Sequence, residues 1–489
     1  MKQRLLTLAP AMFLLLACVS APQRRQPEMD VAIPESWGSA TAAVPGQIET
    51  EWWSTFGDGH LPTLIRLAME RNSDLHAAVA RLDRAAAEAR IAGADLAPSV
   101  GLNVGGGRQR RNFVGFPFGA EGEVPAATFD SFGVSLDTSW EVDLWGRIRA
   151  SARSAVAEHQ ASEADLAAAR LSIAAQTAKT WFSVLEAGQQ VALARETVAS
   201  FRLSTEQVRS RYVMGIRSAL DLRLALSNLA GAEALLQLRL TQHDRATRQL
   251  EVLLGRYPGG SILAIYPPGD LPRTPDPVPA GLPAELIARR PDLIAAERRL
   301  AAADQRYLAA RRALYPRLSL TASGGTVTDA LTDLLNGDFR VWSLVGNLAQ
   351  PLFQGGRLRA GVDRADAADR EALALYVGQV LHAFAEVESN LAAEQRLALQ
   401  ERHLAEAATQ LRAARELAEE RYRTGVGFYL VVLESQTRAL TAESGLLALR
   451  RQRLDNRIDL HLALGGGFVA GADPLVTPQP GAPSPGPAS

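Results

Sequence analysis

Arg211-Tyr212-Val213-Met214-Gly215 and, 210 positions later, Arg421-Tyr422-Arg423-Thr424-Gly425 are two versions of one turn. Leu254-Gly255 and Leu464-Gly465 repeat at the same offset. Upstream the offset is 218. There Asn72-Ser73-Asp74-Leu75 answers to Arg290-Pro291-Asp292-Leu293, and Pro98-Ser99-Val100-Gly101-Leu102 to Pro316-Arg317-Leu318-Ser319-Leu320. The chain is therefore an internal duplication. The fall from 218 to 210 places the length difference between these blocks, where the first copy carries Arg108 to Ser131.

Each copy spells the same plan. Residues near 74 to 97 and 292 to 315 are rich in Ala, Leu, Arg and Glu, and Pro291 suits a first helical position, so a helix comes first. Strict alternation follows. Val100, Leu102 and Val104 share one face and Gly101, Asn103 and Gly105 the other, matched by Leu318, Leu320 and Ala322 against Ser319, Thr321 and Ser323. A second alternating stretch runs through Phe132, Val134, Leu136 and Trp140, and its counterpart through Trp342, Leu344 and Leu348. Each copy thus contributes one long β-hairpin. No proline then occurs between Pro125 and Pro258 or between Pro351 and Pro474, and apolar residues recur three and four apart. These stretches predict very long helices, about 100 Å from residue 147 to 213 at 1.5 Å per residue. The turns at Gly215 and Gly425 send the chain back to Gly255 and Gly465.

The N-terminus has its own signature. Lys2 and Arg4 precede an apolar run from Leu5 to Ala17, which is too short to span a bilayer and reads as a cleaved signal. It stops at Cys18, the chain's single cysteine, with the small Ala17 before it. The expected organisation is a signal peptide over 1–17, a lipidated extended segment over 18–57 and a first repeat over 58–255. A Pro-rich connector over 256–283, a second repeat over 284–467 and a disordered tail over 468–489 complete it.

Composition excludes several classes of function. Lys+Arg number 52 against Asp+Glu 53, so no basic field exists to attract nucleic acid. Past the signal no apolar run is long enough for a membrane helix, so any crossing is by β-strands. The seven histidines lack ligand spacing, and neither a nucleophile elbow nor a phosphate loop occurs. No metal, no cofactor and no enzymatic activity are expected. A tethered cell-wall hydrolase would need a compact catalytic constellation.

Four strands cannot close a membrane barrel, and open edges in lipid leave backbone groups unsatisfied, so the hairpins demand oligomerisation. Two chains give eight strands and three give twelve; periodicity does not choose. The polar faces, with Asn103, Asp137, Ser139, Glu141, Ser319 and Thr321, would line water. A lipid-anchored structural rod or adaptor without a pore is the alternative, and it would have no use for two alternating hairpins.

Several motifs together resemble the TolC-like outer-membrane efflux lipoproteins of the NodT type. They include Glu51-Trp52-Trp53-Ser54-Thr55-Phe56-Gly57, Arg289-Arg290-Pro291-Asp292-Leu293, Pro351-Leu352-Phe353-Gln354-Gly355-Gly356-Arg357 and Arg421-Tyr422-Arg423-Thr424-Gly425-Val426. The likeness runs from about residue 18 to 467. It implies a mainly α fold with a small β part, a long α-helical barrel continuous with a transmembrane β-barrel, built by a homotrimer with four strands per chain. It also implies a diacylglycerol and an N-acyl chain on Cys18, outer-membrane localisation facing the periplasm, and outer-membrane lipid around the barrel. The implied partners are a periplasmic membrane-fusion adaptor and an inner-membrane transporter of the resistance-nodulation-division type. The implied function is a gated efflux channel. The resemblance maps the periplasmic gate onto Asp221, Tyr422 and Glu434, and Arg217 is a candidate tip cation in place of charges missing elsewhere in the turns. Gly427 and Val431 depart from family members that carry charges there.

Overall fold

The computed structural model describes residues 34–39, 49–114, 126–281 and 283–466. The signal segment, Cys18 and the 468–489 tail lie outside them. Along the chain come α1 (Leu61–Arg71), α2 (Ser73–Ala94), β1 (Ser99–Asn112), β2 (Ala126–Val142), α3 (Arg147–Val213) and α4 (Ala219–Leu253). The second copy follows with α5 (Ile262–Ile265), α6 (Pro283–Arg289), α7 (Pro291–Arg312), β3 (Arg317–Thr328), β4 (Arg340–Ala349), α8 (Arg357–Arg423) and α9 (Tyr429–Ala463). Among the described residues, apart from α5, which belongs to the connector, and two 3-10 turns between β3 and β4, every helix and strand of one copy has its mate in the other.

The two long helices are 67 residues each, so each is a rod of about 100 Å. Each starts after a left-handed glycine, Gly146 or Gly356, and each stops at one, Gly215 or Gly425. The stop is a doubly bonded C-terminal turn. Gly215 N donates to Tyr212 O and Ile216 N to Arg211 O, both at 2.9 Å, while Gly425 N and Val426 N repeat this at 3.0 Å on Tyr422 O and Arg421 O.

Two short helices, α1 and α6, extend the plan beyond what periodicity predicts. Pro62 and Pro283 sit in their first turns, where a missing N–H costs nothing. The connector expected to run extended over 256–283 therefore ends before Pro283 and contains α5 as well. The N-terminal segment likewise closes with a 3-10 turn, Trp52–Phe56, rather than remaining extended. The apolar positions of this turn and of α1 cluster too tightly to stay in solvent. Trp52, Phe56, Leu64 and Ile65 form one core with Trp181, Phe182, Leu250 and Ile458.

Helix order is set by which faces bury. On the sheet side α3 lies between α2 and α7, with α8 beyond α7; on the turn side α3 lies between α4 and α9, with α8 beyond α9. The repeat is knotted at mid-height by equivalent bonds. Asn72 Nδ2 donates to Leu253 O at 3.0 Å, and its mate Arg290 donates from Nη1 to Ala463 O at 3.1 Å. A Cβ on Gly255 would fall 2.4 Å from Arg71 O, and one on Gly465 3.0 Å from Arg289 O, so close backbone approach and left-handed φ both select glycine.

At the same level Trp52 stacks on His461, with centroids 5.2 Å apart and planes 16° from parallel. Burial first, and the Arg457 guanidinium second, push the His461 imidazole down to about 4. The unfolded imidazole takes a proton near pH 6.5 and the folded one only near 4, so stability complete above 6.5 is lost as pH falls toward 4. Between pH 7 and 5 the packing around Trp52 should lose about 2 kcal/mol. Amide exchange of residues 52–56 is expected to accelerate over that window, and His461→Phe to flatten the dependence. An identical pH response in that variant would reject the assignment.

Candidate functional site

Two regions carry the geometry of a conduit: the sheet and the helix turns at the far end. The sheet is antiparallel in the order β1-β2-β3-β4, and its register decides its faces. Leu102 pairs with Leu136, Leu136 with Gly324, and Gly324 with Trp342; Val100, Thr138, Ala322 and Leu344 form the next row on that side. The other side aligns Ser99, Ser139 and Thr321, and then Glu141, Ser319 and Asn347. The alternation read separately in each hairpin therefore adds up to one apolar and one polar face. On the polar face Asp137 accepts from Ser135 Oγ at 3.0 Å and from Ser323 Oγ at 2.6 Å. The apolar face is bare: Leu102 is 69% exposed and Leu344 71%. β1 and β4 each pair on one side only.

Between the sheet and mid-height, α2, α3, α7 and α8 curve round a concave cavity of about 1230 Å³. Its wall carries Glu88, Glu158 and Glu371 against Arg299, Arg306 and Arg364, set among alanines. Arg306 binds Glu158 at 2.7 Å, and Arg299 pairs with Asp165. The wall is charge-balanced.

At the far end Tyr422 is buried between two cations. The guanidinium carbons of Arg211 and Arg217 lie 4.6 and 5.2 Å from its ring centroid. Arg211 also donates to Tyr422 O and Arg423 O at 2.8 and 2.9 Å, and Arg217 to Gly427 O at 3.0 Å. Both arginines of the first turn thus grip carbonyls of the second. A Cβ on Gly427 would come 2.9 Å from Tyr422 N, so the repeat mate of Arg217 has no room for a side chain. At this position of the repeat only the first copy carries a cation. Tyr429 tilts against Tyr422 at 5.7 Å, and its phenol is pushed up to about 12 by burial, then by Tyr422 and Asp221 nearby. Ser218 Oγ caps α4 by accepting from Asp221 N at 3.2 Å.

Of the residues mapped to the gate, Arg217 and Tyr422 are in contact and Asp221 acts on the same cluster through Tyr429. Glu434 stands apart, in an exposed pair with Arg438 at 2.6 Å. Arg211 and Tyr429 were not assigned a role from the sequence. Arg211 belongs to the repeated turn motif, yet its contacts lie 211 and 212 residues away, beyond any local pattern.

The model of the outer membrane efflux protein family matches residues 64–256 and 282–466, the two copies just described. The chain belongs to that family. Among its relatives, outer membrane protein OprJ of Pseudomonas aeruginosa is 34% identical over 462 residues, covering 94% of this chain and 95% of that one. The pyoverdine export outer membrane protein OpmQ of the same organism is also 34% identical, over 96% of this chain and 98% of its own. The crystal structure of the Campylobacter jejuni CmeC outer membrane channel superposes with a TM-score of 0.84 at 25% identity, covering 92% and 96% of the two chains. As an outer membrane efflux protein the chain is a channel component of the outer membrane, reaching into the periplasm with its helices. The sheet's apolar face meets the requirement for contact with lipid.

Proposed function

We propose that three copies close head to tail into a twelve-stranded barrel continuous with a twelve-helix tunnel, which receives small molecules from a periplasmic adaptor and an inner-membrane transporter. The single observation that carries this is the inequality of the two long helices. α3 buries 27 of its 67 residues and α8, its repeat mate, only 8. α3 is enclosed by α2, α4, α7 and α9, whereas α8 packs along α7 and α9 and meets α3 through side chains toward its turn end, at Arg415, Glu419 and Tyr422. The missing neighbours of α8 are the mates of those around α3, namely α2 and α4, and another copy supplies them. The unpaired edges of β1 and β4 join in the same sense.

Three copies serve better than two on physical grounds. An eight-stranded barrel is filled by its own side chains, while twelve strands leave a lumen. The charge-balanced cavity wall then becomes part of the duct, open to solutes of either sign. The Arg211, Arg217, Tyr422 and Asp221 cluster closes the duct at its periplasmic tip, where an adaptor engages it. Detergent-extracted protein should run as a heat-labile trimer and conduct ions in planar bilayers. Failure on both counts would sink the pore reading in favour of a structural rod.

Cys18 fits as the lipidation site. Trp37, buried, donates to Gly281 O at 3.1 Å, and Gly38 N and Ser39 N donate to Glu388 at 2.7 and 2.9 Å, which ties the chain down at mid-height. From there an extended chain of 19 residues reaches up to about 65 Å, whereas the 22 residues of α7 climb only about 33 Å to the sheet. Because the barrel itself holds the protein in the membrane, the lipid serves sorting and assembly. Cys18→Ala is expected to lower trimer yield severalfold and to leave single-channel conductance unchanged. Normal assembly of that protein would refute this role.

A further inference from the structure

We propose that the outward face of the barrel carries an arginine site for the phosphates of the outer-leaflet glycolipid, centred on Arg108 and Arg110. The inference rests on the barrel reading above and adds a ligand to it. The register carries the argument. On the apolar side of the sheet the rows climb from Val142, Leu318 and Leu348 near the helices to Gly106, Phe132 and Thr328. From Val142 to Phe132 this is eleven positions of β2. At about 3.3 Å each and a tilt near 45° they span about 25 Å, the height of a membrane barrel's apolar band.

The next two rows on that same side hold Arg108 and Arg110, opposite Asp130 and Thr128. Both arginines are exposed, and Arg108 meets Asp130 only loosely, at 3.4 Å. Residues of this pleat point away from the lumen, so these charges have no part in lining the duct. They stand one to two rows above the hydrocarbon, at the depth of headgroup phosphates, and guanidinium groups suit phosphate oxygens in charge and in fork geometry.

The second hairpin repeats the order more weakly. Trp342 is 82% exposed, and Arg340 follows two residues further out on the same pleat. Arg340 pairs with Thr326, in the row of Val104 and Val134 and one row short of Phe132, so it is the lesser contributor. The row nearest the helices, Val142, Leu318 and Leu348, carries no charge at all. Arg108 and Arg110, beyond the last of these rows, therefore stand at the outward rim, where the leaflet is a phosphorylated glycolipid.

The full-length assembled protein in detergent, titrated with bisphosphorylated lipid A and followed by native mass spectrometry, tests this. Binding is expected for the bisphosphorylated lipid and not for the same lipid with both phosphates removed, a comparison that needs no variant. Arg108→Gln with Arg110→Gln should weaken binding about tenfold, and Arg340→Gln less. Equal binding of the dephosphorylated lipid, or unchanged binding by the double variant, would overturn the proposal. Displacement of the lipid by millimolar inorganic phosphate would also overturn it, since the site would then take the free anion. Conductance of the double variant in glycolipid-free bilayers should equal that of the parent, so loss of the glycolipid site and failure of the channel reading are separately visible.

Discussion

Arginine in place of Leu136 is expected to remove the assembled channel from the outer membrane, while arginine in place of Ser139, three residues along the same strand, is tolerated. Leu136 sits in the row of Leu102, Gly324 and Trp342, near the middle of the apolar band, and is 57% exposed within the single chain. Placing arginine at the midplane of a barrel's lipid face costs about 2–4 kcal/mol. In a closed ring of three copies the cost is incurred three times. Ser139 pairs with Ser99 and Thr321 on the polar face, where the guanidinium stays hydrated. The Ser139→Arg protein should assemble and show reduced conductance to cations. The readouts are trimer yield from the outer-membrane fraction and single-channel current. Equal loss of assembly in both proteins would mean that the two faces of the sheet do not meet different solvents, and the barrel would fall.

Tyr422→Ala is expected to raise closed-state conductance several-fold. Its ring fills the space between Arg211 and Arg217 and packs on Tyr429, Val208 and Ala225. Removing a buried aromatic side chain of this size costs about 3–5 kcal/mol, here confined to the ends of the hairpins. Without the ring the two arginines repel across an empty site, and the turns they hold together lose their register. Tyr422→Phe keeps the ring between the cations, so it should stay closed. Asp221→Ala acts only through Tyr429 and should have a smaller effect. Glu434→Ala should leave closed-state current unchanged, since Glu434 makes only the exposed pair with Arg438. Unchanged conductance in Tyr422→Ala would exclude this cluster as the gate.

Much of this architecture is written locally. The offsets of 218 and 210 disclose the duplication, the absence of proline between Pro125 and Pro258 discloses a long rod, and alternation discloses the hairpins. The helix bounds at Arg147 and Val213 follow from glycines whose left-handed φ only glycine adopts cheaply. The short helices α1 and α6 were as legible in principle, since Pro62 and Pro283 occupy favoured first-turn positions. In α6 the signal was submerged among the connector's other prolines.

The site was legible only in part. The turn motif pointed to Tyr422, and the neighbouring Arg217 is indeed against its ring. Sequence spacing could not separate Asp221, near the cluster, from Glu434, outside it, because both follow glycine turns on otherwise similar helices. Nor could it show that a missing side chain at Gly427 is required by the packing of the backbone at Tyr422.

By itself the sequence determined the two-copy plan, the long helices and their turns, and a sheet with one apolar and one polar face. These depend on periodicity, proline and glycine, which act over a few residues. Only the tertiary structure decided that α3 is enclosed while its mate α8 is left open, that Arg211 and Arg217 both reach the second turn, and that the four strands share one register. Such facts depend on which helix faces meet across some 200 positions of chain, and identical local patterns in two copies end in different surroundings.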